Sequence, residues 1–341
     1  MTQIIPKKLI AVENNWQKVL SSAFTDPLAL LKYLALDPAK FTDDIAARRL
    51  FPMRVPAPFA KRMEKGNPDD PLFRQVFPSK KEFNSDPNYL LDPLQEQSNS
   101  KPGVLHKYQS RVLLLVRGGC AVNCRYCFRR HFPYSDNHLN KQEWQETLDY
   151  IRQDSKINEV IYSGGDPLMA KDDFLAWLTE EIAQIDHIKR IRIHTRLPVV
   201  IPSRITPELI KWFTQTRLKP IMVLHINHPQ EIDQSLRDTL QKLTQAGVTL
   251  LNQGVLLKDI NDSADVQVAL SESLFDAGVL PYYLHVMDKV QGAQHFDHED
   301  KIAKDIMAQM IKRLPGFLVP KLVREIGGQP GKTPIDLNLH P

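Results

Sequence analysis

The stretch RVLLLVRGGCAVNCRYCF, residues 111–128, joins an apolar strand candidate to a loop that holds every cysteine of this 341-residue chain. Cys120, Cys124 and Cys127 form a CxxxCxxC run, and their odd number excludes a complete disulfide framework. Three thiolates are one fewer than the four that usually hold a [4Fe–4S] cluster, so one iron would stay open for a small molecule. The run therefore predicts a catalytic iron–sulfur cluster. A zinc site with His131 as its fourth ligand is the alternative.

Composition limits the classes of partner. The chain has a formal net charge of +4 and is 42% hydrophobic and 25% charged, which suits a large α/β domain with a sizeable core. Its lysines and arginines are scattered, so we expect no nucleic-acid partner. The opening MTQIIPKKLIAVENNW lacks the apolar stretch of a signal peptide, and no run approaches about 18 apolar residues, so we expect no membrane span. A reducing, cytoplasmic location would also suit an oxygen-sensitive cluster.

Residues 1–100 are predicted to form a mainly helical appendage that prolines interrupt. Apolar spacing predicts helices over Asn15–Phe24 and Pro27–Leu36, and the polar stretch Asn88–Gly103 is typical of a linker. Asp26 would cap the second helix, with Pro27 in its first turn. We expect three parts: the appendage with its linker at 1–100, a core at 101–329 and a C-terminal lysine-bearing segment at 320–341.

From Arg111 onward, short apolar strands alternate with amphipathic helices. Strands are predicted at Arg111–Arg117, Glu159–Ser163, Arg190–Thr195, Pro220–Ile226, Val248–Gly254 and Leu280–Met287. Helices are predicted near residues 141–154, 171–185, 206–217, 231–246 and 264–277. The alternation indicates parallel β/α units, which either open into a doubly wound sheet or curl toward a barrel. The spacing leaves both architectures open.

Polar residues stand where each predicted strand ends. The cysteine loop follows the first strand, and the later strands end at Ser163–Pro167, His194–Arg196, His225–His228, Asn252–Gly254 and Met287-Asp288. The carboxyl ends of parallel strands meet at one edge of a sheet or one mouth of a barrel. We therefore expect the functional site there.

The segment Ser163-Gly164-Gly165-Asp166-Pro167 turns sharply after the second predicted strand. Its two glycines leave bare backbone that can approach a ligand closely and offer N–H donors. A plain turn between a strand and a helix is the alternative.

The loop Gly327–Pro334 places Lys332 among glycines and prolines. It lacks the glycine spacing and the following helix of a Walker phosphate loop. Two interpretations remain open: a solvated loop lysine, or a lysine whose amine binds pyridoxal phosphate (PLP) as a Schiff base.

Seven segments together resemble the lysine 2,3-aminomutases, a family of radical S-adenosylmethionine (SAM) enzymes. They are, in chain order, CRYCFRRHF, YSGGDPL, HTRLPVVIPSRIT, HINHPQE, NQGVLLKDIND, PYYLHVMD and GGQPGKTP. The resemblance covers roughly residues 85–335 and implies a partial (β/α)6 radical SAM barrel with an N-terminal appendage. Within the family the chain resembles the bacterial branch that supplies (R)-β-lysine for elongation factor P. It stops nine residues after Lys332 and has no cysteines beyond the cluster run, unlike the catabolic enzymes.

The resemblance also implies a role for individual residues. Cys120, Cys124 and Cys127 would ligate the cluster, whose open iron binds SAM, and Lys332 would bind PLP. Arg111 would approach the PLP phosphate, and the SAM and PLP region would be lined by Gly164, Gly165, Asp166, His225 and Gln253. Arg129 would pair with the substrate carboxylate, because a planar two-pronged donor suits that group. Asp288 and Glu325 would face the substrate ε-ammonium, because a buried cation demands a carboxylate.

The implied reaction moves the amino group of L-lysine from C2 to C3. It needs a reducing electron donor, and the branch implies a functional link to elongation factor P and its lysine ligase; a homo-oligomer is also expected. Two positions depart from the family pattern: Glu325 replaces an aspartate, and His285 replaces an aromatic residue. An aminomutase for another amino acid such as glutamate, or a non-catalytic iron–sulfur protein, are the alternatives. A separate alternative is that Asp288 and Glu325 are ordinary surface acids and that His225 and His228 are packed or solvated histidines.

Overall fold

The computed structural model describes residues 16–97 and 101–339. Residues 1–15, which include the start of the first predicted helix and most of the opening segment, lie outside the described residues. So do residues 98–100 of the predicted linker and residues 340–341 of the predicted C-terminal segment. Within the two described ranges, no helix is long and apolar enough to cross a membrane.

One sheet forms the centre of the protein. Its strands in the described residues are β1 (Val104–Tyr108), β2 (Arg111–Arg117), β3 (Glu159–Gly164), β4 (Arg190–Thr195), β5 (Lys219–Leu224), β6 (Thr249–Val255), β7 (Leu280–His285), β8 (Lys321–Arg324) and β9 (Thr333–Pro334). Strands β2 to β8 pair in parallel, each with the next along the chain. Strands β1 and β9 add antiparallel to the two edges.

The strand order decides between the two architectures that the spacing left open. A doubly wound sheet reverses its strand order at a switch point, whereas this sheet follows chain order from β1 at one edge to β9 at the other. Consecutive parallel strands joined by helices curl toward a barrel. The predicted partial barrel with parallel β/α units is confirmed.

Six strands correspond to the predicted ones, and Arg111–Arg117 and Arg190–Thr195 have the predicted bounds. The sequence pattern does not predict β1, β8 and β9. Strand β1 lies in polar sequence beside the predicted linker, and β8 and β9 have only four and two residues. Strands this short show no clear alternation of apolar and polar residues.

The described α-helices are α1 (Trp16–Ser21), α2 (Pro27–Tyr33), α3 (Thr42–Ala46), α4 (Ala57–Ala60), α5 (Pro71–Arg74), α6 (Lys141–Gln153), α7 (Asp172–Ala183), α8 (Leu197–Val200), α9 (Pro207–Thr214), α10 (Gln234–Gln245), α11 (Ala264–Asp276) and α12 (Asp300–Arg313). Helices α6, α7, α9, α10 and α11 are the predicted crossovers. Helix α6 begins with a capping box, in which Asn140 and Glu143 each accept a hydrogen bond from the other's backbone N–H. Helix α12 is a further crossover, between β7 and β8.

Short helices make up much of the described N-terminal appendage, as predicted. Asp26 caps α2 by accepting a hydrogen bond from Leu28 N, and Pro27 stands in the first turn. The buried Phe59 and Phe73 of the appendage belong to the same hydrophobic cluster as residues of the barrel. The appendage therefore packs on the barrel, and the three-part division of the chain stays a prediction.

Candidate active site

A cavity of about 240 Å³, here called the site cavity, runs from the carboxyl ends of the parallel strands into the barrel. Its lining includes all the residues for which the sequence predicts a role: Cys120, Cys124, Cys127, Arg111, Arg129, Gly164, Gly165, Asp166, His225, Gln253, Asp288, Glu325 and Lys332. Most of them lie at or after the carboxyl end of a strand; Arg111, which begins β2, is an exception. The structure brings the predicted set together, and the role of each residue stays a prediction.

The cysteine loop after β2 is held by the N-terminal appendage. Arg54 Nη1 donates to the backbone oxygen of Cys120 at 2.9 Å, and the fully buried Arg125 donates to both carboxylate oxygens of Glu82 at 2.8 and 2.6 Å. Burial and the neighbouring thiols raise the pKa of Cys127 to about 11 and the pKa of Cys120 well above its ordinary value. Thiols give up their protons when they bind a metal. The loop therefore presents three half-buried thiols on a well-anchored backbone.

The Gly-Gly-Asp segment after β3 supports that loop. Gly165 N donates to Arg117 O at 2.7 Å, and Asp166 N donates to Gly119 O at 2.9 Å. A Cβ atom at Gly165 would lie 2.6 Å from Gly118 O, so only glycine allows this close approach of the two loops. The N–H of Gly165, one of the two glycines predicted to offer donors to a ligand, is therefore engaged within the protein, and a role of Gly164 and Gly165 toward a ligand stays a prediction.

The Asp166 carboxylate joins the ends of β3 and β4. It accepts hydrogen bonds from Thr195 Oγ1 at 2.8 Å and from the backbone N atoms of Arg196, Leu197 and Leu168 at 2.9 to 3.0 Å. Burial raises the pKa of Asp166 to about 6, although these donors oppose the shift. Its carboxylate is engaged within the protein, so its contribution to a ligand site is to position the loops around it.

Arg129 is engaged by a residue that the sequence analysis did not identify. Its Nε and Nη2 donate to the two carboxylate oxygens of Glu96 at 2.7 and 3.1 Å, and its Nη1 donates to Gly164 O at 3.1 Å. Lys107 Nζ lies 2.8 Å from the same carboxylate. Burial opposes ionisation of Glu96, but the two cations outweigh burial and lower its pKa. The predicted two-pronged pairing of Arg129 with a carboxylate is thus made, in this structure, with Glu96 and not with a substrate.

The neighbouring part of the site cavity combines acids with Lys332. Lys332 Nζ lies 2.8 Å from Glu325 Oε2, and Lys107 Nζ lies 3.6 Å from Glu325 Oε1. Burial opposes ionisation of Glu325, but Lys332 and Lys107 outweigh it and lower the pKa. Burial and the neighbouring Glu325 raise the pKa of Asp288 to about 7. This part of the cavity is therefore suited to bind a further cation when Lys332 is not available to the acids.

Two histidines and one glutamine line the cavity with polar atoms that lack a partner, and a third histidine, His225, lines it as well. The enclosed Nε2 atoms of His194 and His285 and Oε1 of Gln253 make no hydrogen bond among the described residues. Burial lowers the pKa of His225 to about 3, and it lowers those of His194 and His285 well below the ordinary value. The rings are neutral and can both donate and accept. Buried polar atoms without partners are uncommon and indicate a place for a ligand.

Residues 114–265 match the family model described as the Radical SAM superfamily. The chain is 55% identical to L-lysine 2,3-aminomutase of Escherichia coli (strain K12) over 326 residues, which cover 95% of each chain. It is 54% identical to L-lysine 2,3-aminomutase of Haemophilus influenzae over 333 residues, which cover 97% of this chain and 98% of that protein. The chain belongs to the lysine 2,3-aminomutase family. Glutamate 2,3-aminomutase of Clostridioides difficile is also similar, at 31% identity over 94% of this chain and 76% of its own length.

Membership of the lysine 2,3-aminomutase family confirms the resemblance and the predicted isomerase class. It implies a [4Fe–4S] cluster, SAM and PLP as cofactors. The site fits these groups. Three thiols face one cavity with the unpartnered atoms of His194, His285 and Gln253, and a lysine amine lies beside it. Arg111 stacks 3.9 Å above the ring of Tyr108 at the cavity wall and offers a cation for a phosphate.

The zinc alternative fits less well. His131 Nε2 lies 3.1 Å from the backbone oxygen of Gln291, so this nitrogen is engaged away from the cysteines. Among residues 16–97 and 101–339, no group of three His, Cys, Asp or Glu side chains is arranged to hold a single metal ion. A four-iron cluster places an iron at each thiolate, so its ligand sulfurs stand farther apart than the ligands of one ion.

Proposed function

We propose that this chain is a radical SAM, PLP-dependent lysine 2,3-aminomutase that converts L-lysine to (R)-β-lysine. The observation that carries the proposal is the pair of acids, Asp288 and Glu325, on the wall of a cavity that also holds three thiols and Lys332. When bound, the cluster with SAM supplies removal of a hydrogen atom from C3, and PLP carries the nitrogen that moves from C2 to C3. The residues of the chain bind, orient and enclose the reactants.

We propose the predicted roles for the residues that bind cofactors. Cys120, Cys124 and Cys127 would ligate the cluster, and Lys332 would hold PLP through its amine. Arg111 would bind the phosphate of PLP, as a guanidinium suits that group. Residues that line the space between these points, and so would contact SAM or PLP, are Gly164, Gly165, His225 and Gln253, with Asp166 positioning the loop.

We assign the ε-ammonium end of the substrate to Asp288 and Glu325, because Glu325 is paired with the ammonium of Lys332 in this structure. Glu325 already binds a primary ammonium, that of Lys332, at 2.8 Å. The ε-ammonium of lysine has the same chemistry and would pair with Glu325 and Asp288 when Lys332 is engaged by PLP. Lys107 Nζ, 3.6 Å from Glu325 Oε1, would balance part of the charge of the two acids, and a cationic substrate would balance the rest.

The substrate carboxylate is assigned to Arg129, with Glu96 as its partner in the absence of substrate. A guanidinium has five N–H donors; Glu96 takes two of those of Arg129, and Gly164 O and Ser163 Oγ take two more. One donor remains, so a substrate carboxylate bound through two donors would have to replace Glu96.

Glutamate is the competing substrate, because a glutamate 2,3-aminomutase is among the relatives. The side-chain carboxylate of glutamate would lie against Asp288 and Glu325 if it bound in the orientation proposed for lysine. Like charges in a buried site repel strongly. The acids therefore favour lysine.

The wider role follows from the resemblance of the chain to the bacterial branch of the family. We propose that its β-lysine serves modification of elongation factor P by a lysine ligase, and that a reducing protein supplies the electron. The three-part division at 1–100, 101–329 and 320–341 and a homo-oligomeric state are part of the same proposal.

Anaerobic reconstitution with iron, sulfide, PLP and SAM tests the proposal. The reconstituted protein is incubated with dithionite and either L-lysine or L-glutamate, and the amino acids are separated by chromatography. We expect β-lysine from lysine and no β-glutamate from glutamate. Formation of β-glutamate alone would show that the substrate is glutamate and not lysine. Intact cluster absorbance with neither product nor 5′-deoxyadenosine would favour a non-catalytic iron–sulfur protein.

A further inference from the structure

A buried arginine outside the predicted set contacts a cysteine of the loop. Arg196 follows β4, and its Nη1 lies 2.8 Å from Cys124 Sγ and 2.6 Å from the hydroxyl of Tyr126. Its Nη2 lies 2.9 Å from Glu231 Oε2 and 2.7 Å from Gln75 Oε1. Arg196 is 6% exposed and Glu231 is fully buried. A complete, buried ion pair therefore lies in contact with one of the three thiols, that of Cys124.

The partners fix this guanidinium in place. Glu231 also accepts hydrogen bonds from the backbone N of Asn227 at 3.0 Å and from Gln75 Nε2 at 3.3 Å. Gln75 belongs to the N-terminal appendage, at the end of α5. Burial strengthens the electrostatic interaction of each charge with its neighbours, because the surrounding dielectric constant is low. Neither charge can turn toward solvent without breaking several bonds.

Charges and hydrogen bonds around a cluster sulfur tune its reduction potential. Reduction adds one electron and hence one negative charge to the cluster. A positive charge beside a ligand sulfur stabilises the reduced form, and a negative charge opposes it. The two members of this pair therefore act on the cluster with opposite sign, and Arg196 is the nearer one because it contacts the sulfur.

We infer, on the basis of the proposed function, that Arg196 and Glu231 set the reduction potential of the cluster bound by the cysteine loop. Arg196 raises the potential by donating to the Cys124 sulfur, and Glu231 moderates that effect while it holds the guanidinium in position. The pair is a positioning and tuning element, of which Arg196 also lines the site cavity. Its link to Gln75 makes the N-terminal appendage part of the redox environment.

The test is a potentiometric titration of the reconstituted protein with dithionite, without SAM, in which EPR follows the reduced cluster. Arg196→Gln should shift the midpoint to a more negative potential, and Glu231→Gln should shift it to a less negative one. Arg196→Lys keeps the charge and should stay closer to wild type than Arg196→Gln. Arg204→Gln is the matched control, because Arg204 is also buried and paired with an acid, Asp172, but makes no bond to a cysteine.

Opposite shifts in the two neutral variants, with no shift in the control, would support the inference. Equal potentials in all variants, or shifts of the same sign for Arg196→Gln and Glu231→Gln, would overturn it. If Arg196→Gln does not hold a cluster, Glu231→Gln still decides: a shift to a less negative potential supports the inference, and no shift or a shift to a more negative potential overturns it. A wild-type protein that assembles no cluster would instead overturn the proposed function.

Discussion

Replacement of Asp288 by asparagine tests whether this carboxylate binds the substrate or is only a partly buried acid in the cavity wall. Burial and the neighbouring Glu325 raise the pKa of Asp288 from 3.8 to about 7. The folded protein therefore binds a proton at this site more tightly than the unfolded chain does. Wild-type stability falls as the pH rises from about 4 to about 7, because the folded state must then ionise a group that resists ionisation.

The size of this effect follows from the difference between the two pKa values. Each pKa unit corresponds to about 1.4 kcal/mol, so a difference of roughly three units costs the wild-type protein about 4 kcal/mol above pH 7. Asparagine has nearly the same shape and no charge. Asp288→Asn should therefore stabilise the cofactor-free protein by about 4 kcal/mol at pH 8, by under about 2 kcal/mol at pH 5, and not at all below about pH 4.

The same substitution should have the opposite effect on substrate binding. Loss of one partner of a buried charge pair costs about 3 kcal/mol, which raises KM for lysine roughly 100-fold. Because Asp288 must be ionised to pair with the ammonium, wild-type KM should also rise as the pH falls below about 7. The variant should lack this pH dependence.

Urea unfolding at pH 5 and pH 8 measures the first effect, and anaerobic lysine turnover measures the second. Asp300→Asn is the control, since Asp300 is an exposed acid paired with Arg324 and should change stability by at most about 1 kcal/mol. Equal stability gains at both pH values would refute the raised pKa. A stability gain at pH 8 with unchanged KM would mean that the pKa of Asp288 is raised but that its carboxylate does not bind the substrate.

Three further changes test other parts of the site. Lys332→Ala should abolish lysine turnover and the absorbance of bound PLP, while the absorbance of the iron–sulfur cluster stays; preserved turnover would defeat the PLP assignment. Glu96→Gln should lower the free energy of unfolding by about 3 kcal/mol in urea, because it leaves a buried guanidinium without its carboxylate. Gly165→Ala should lower the iron content per chain, because its Cβ would lie 2.6 Å from Gly118 O, whereas Gly316→Ala, with no atom within 4 Å, should keep it.

Regular alternation in the sequence predicts the barrel. The apolar run Arg111–Arg117 is a parallel strand with the predicted bounds, and amphipathic segments such as Lys141–Gln153 are its crossovers. In a barrel of parallel strands, residues after each strand meet at one mouth. This rule is sufficient to bring residues as distant in sequence as Cys120 and Asp288 to one cavity.

The partners of the predicted residues could not be predicted in the same way. Glu96 lies in polar sequence without periodicity, and its pairing with Arg129 spans 33 positions of the chain. Lys107 lies on β1, a strand of five residues that begins directly after the predicted linker. Contacts of this kind depend on how loops fold over the barrel, and local residue patterns contain no signal for them.

The N-terminal appendage contacts the cysteine loop directly. Its Glu82 accepts hydrogen bonds from Arg125, between the last two cysteines, and from Arg130, three residues after the last one, and all three side chains are buried. A buried cation that loses its carboxylate is strongly destabilised. The cysteine loop is therefore stabilised in this conformation by a carboxylate of the appendage, so the positions of the thiols in the site cavity depend on how the appendage packs against the loop.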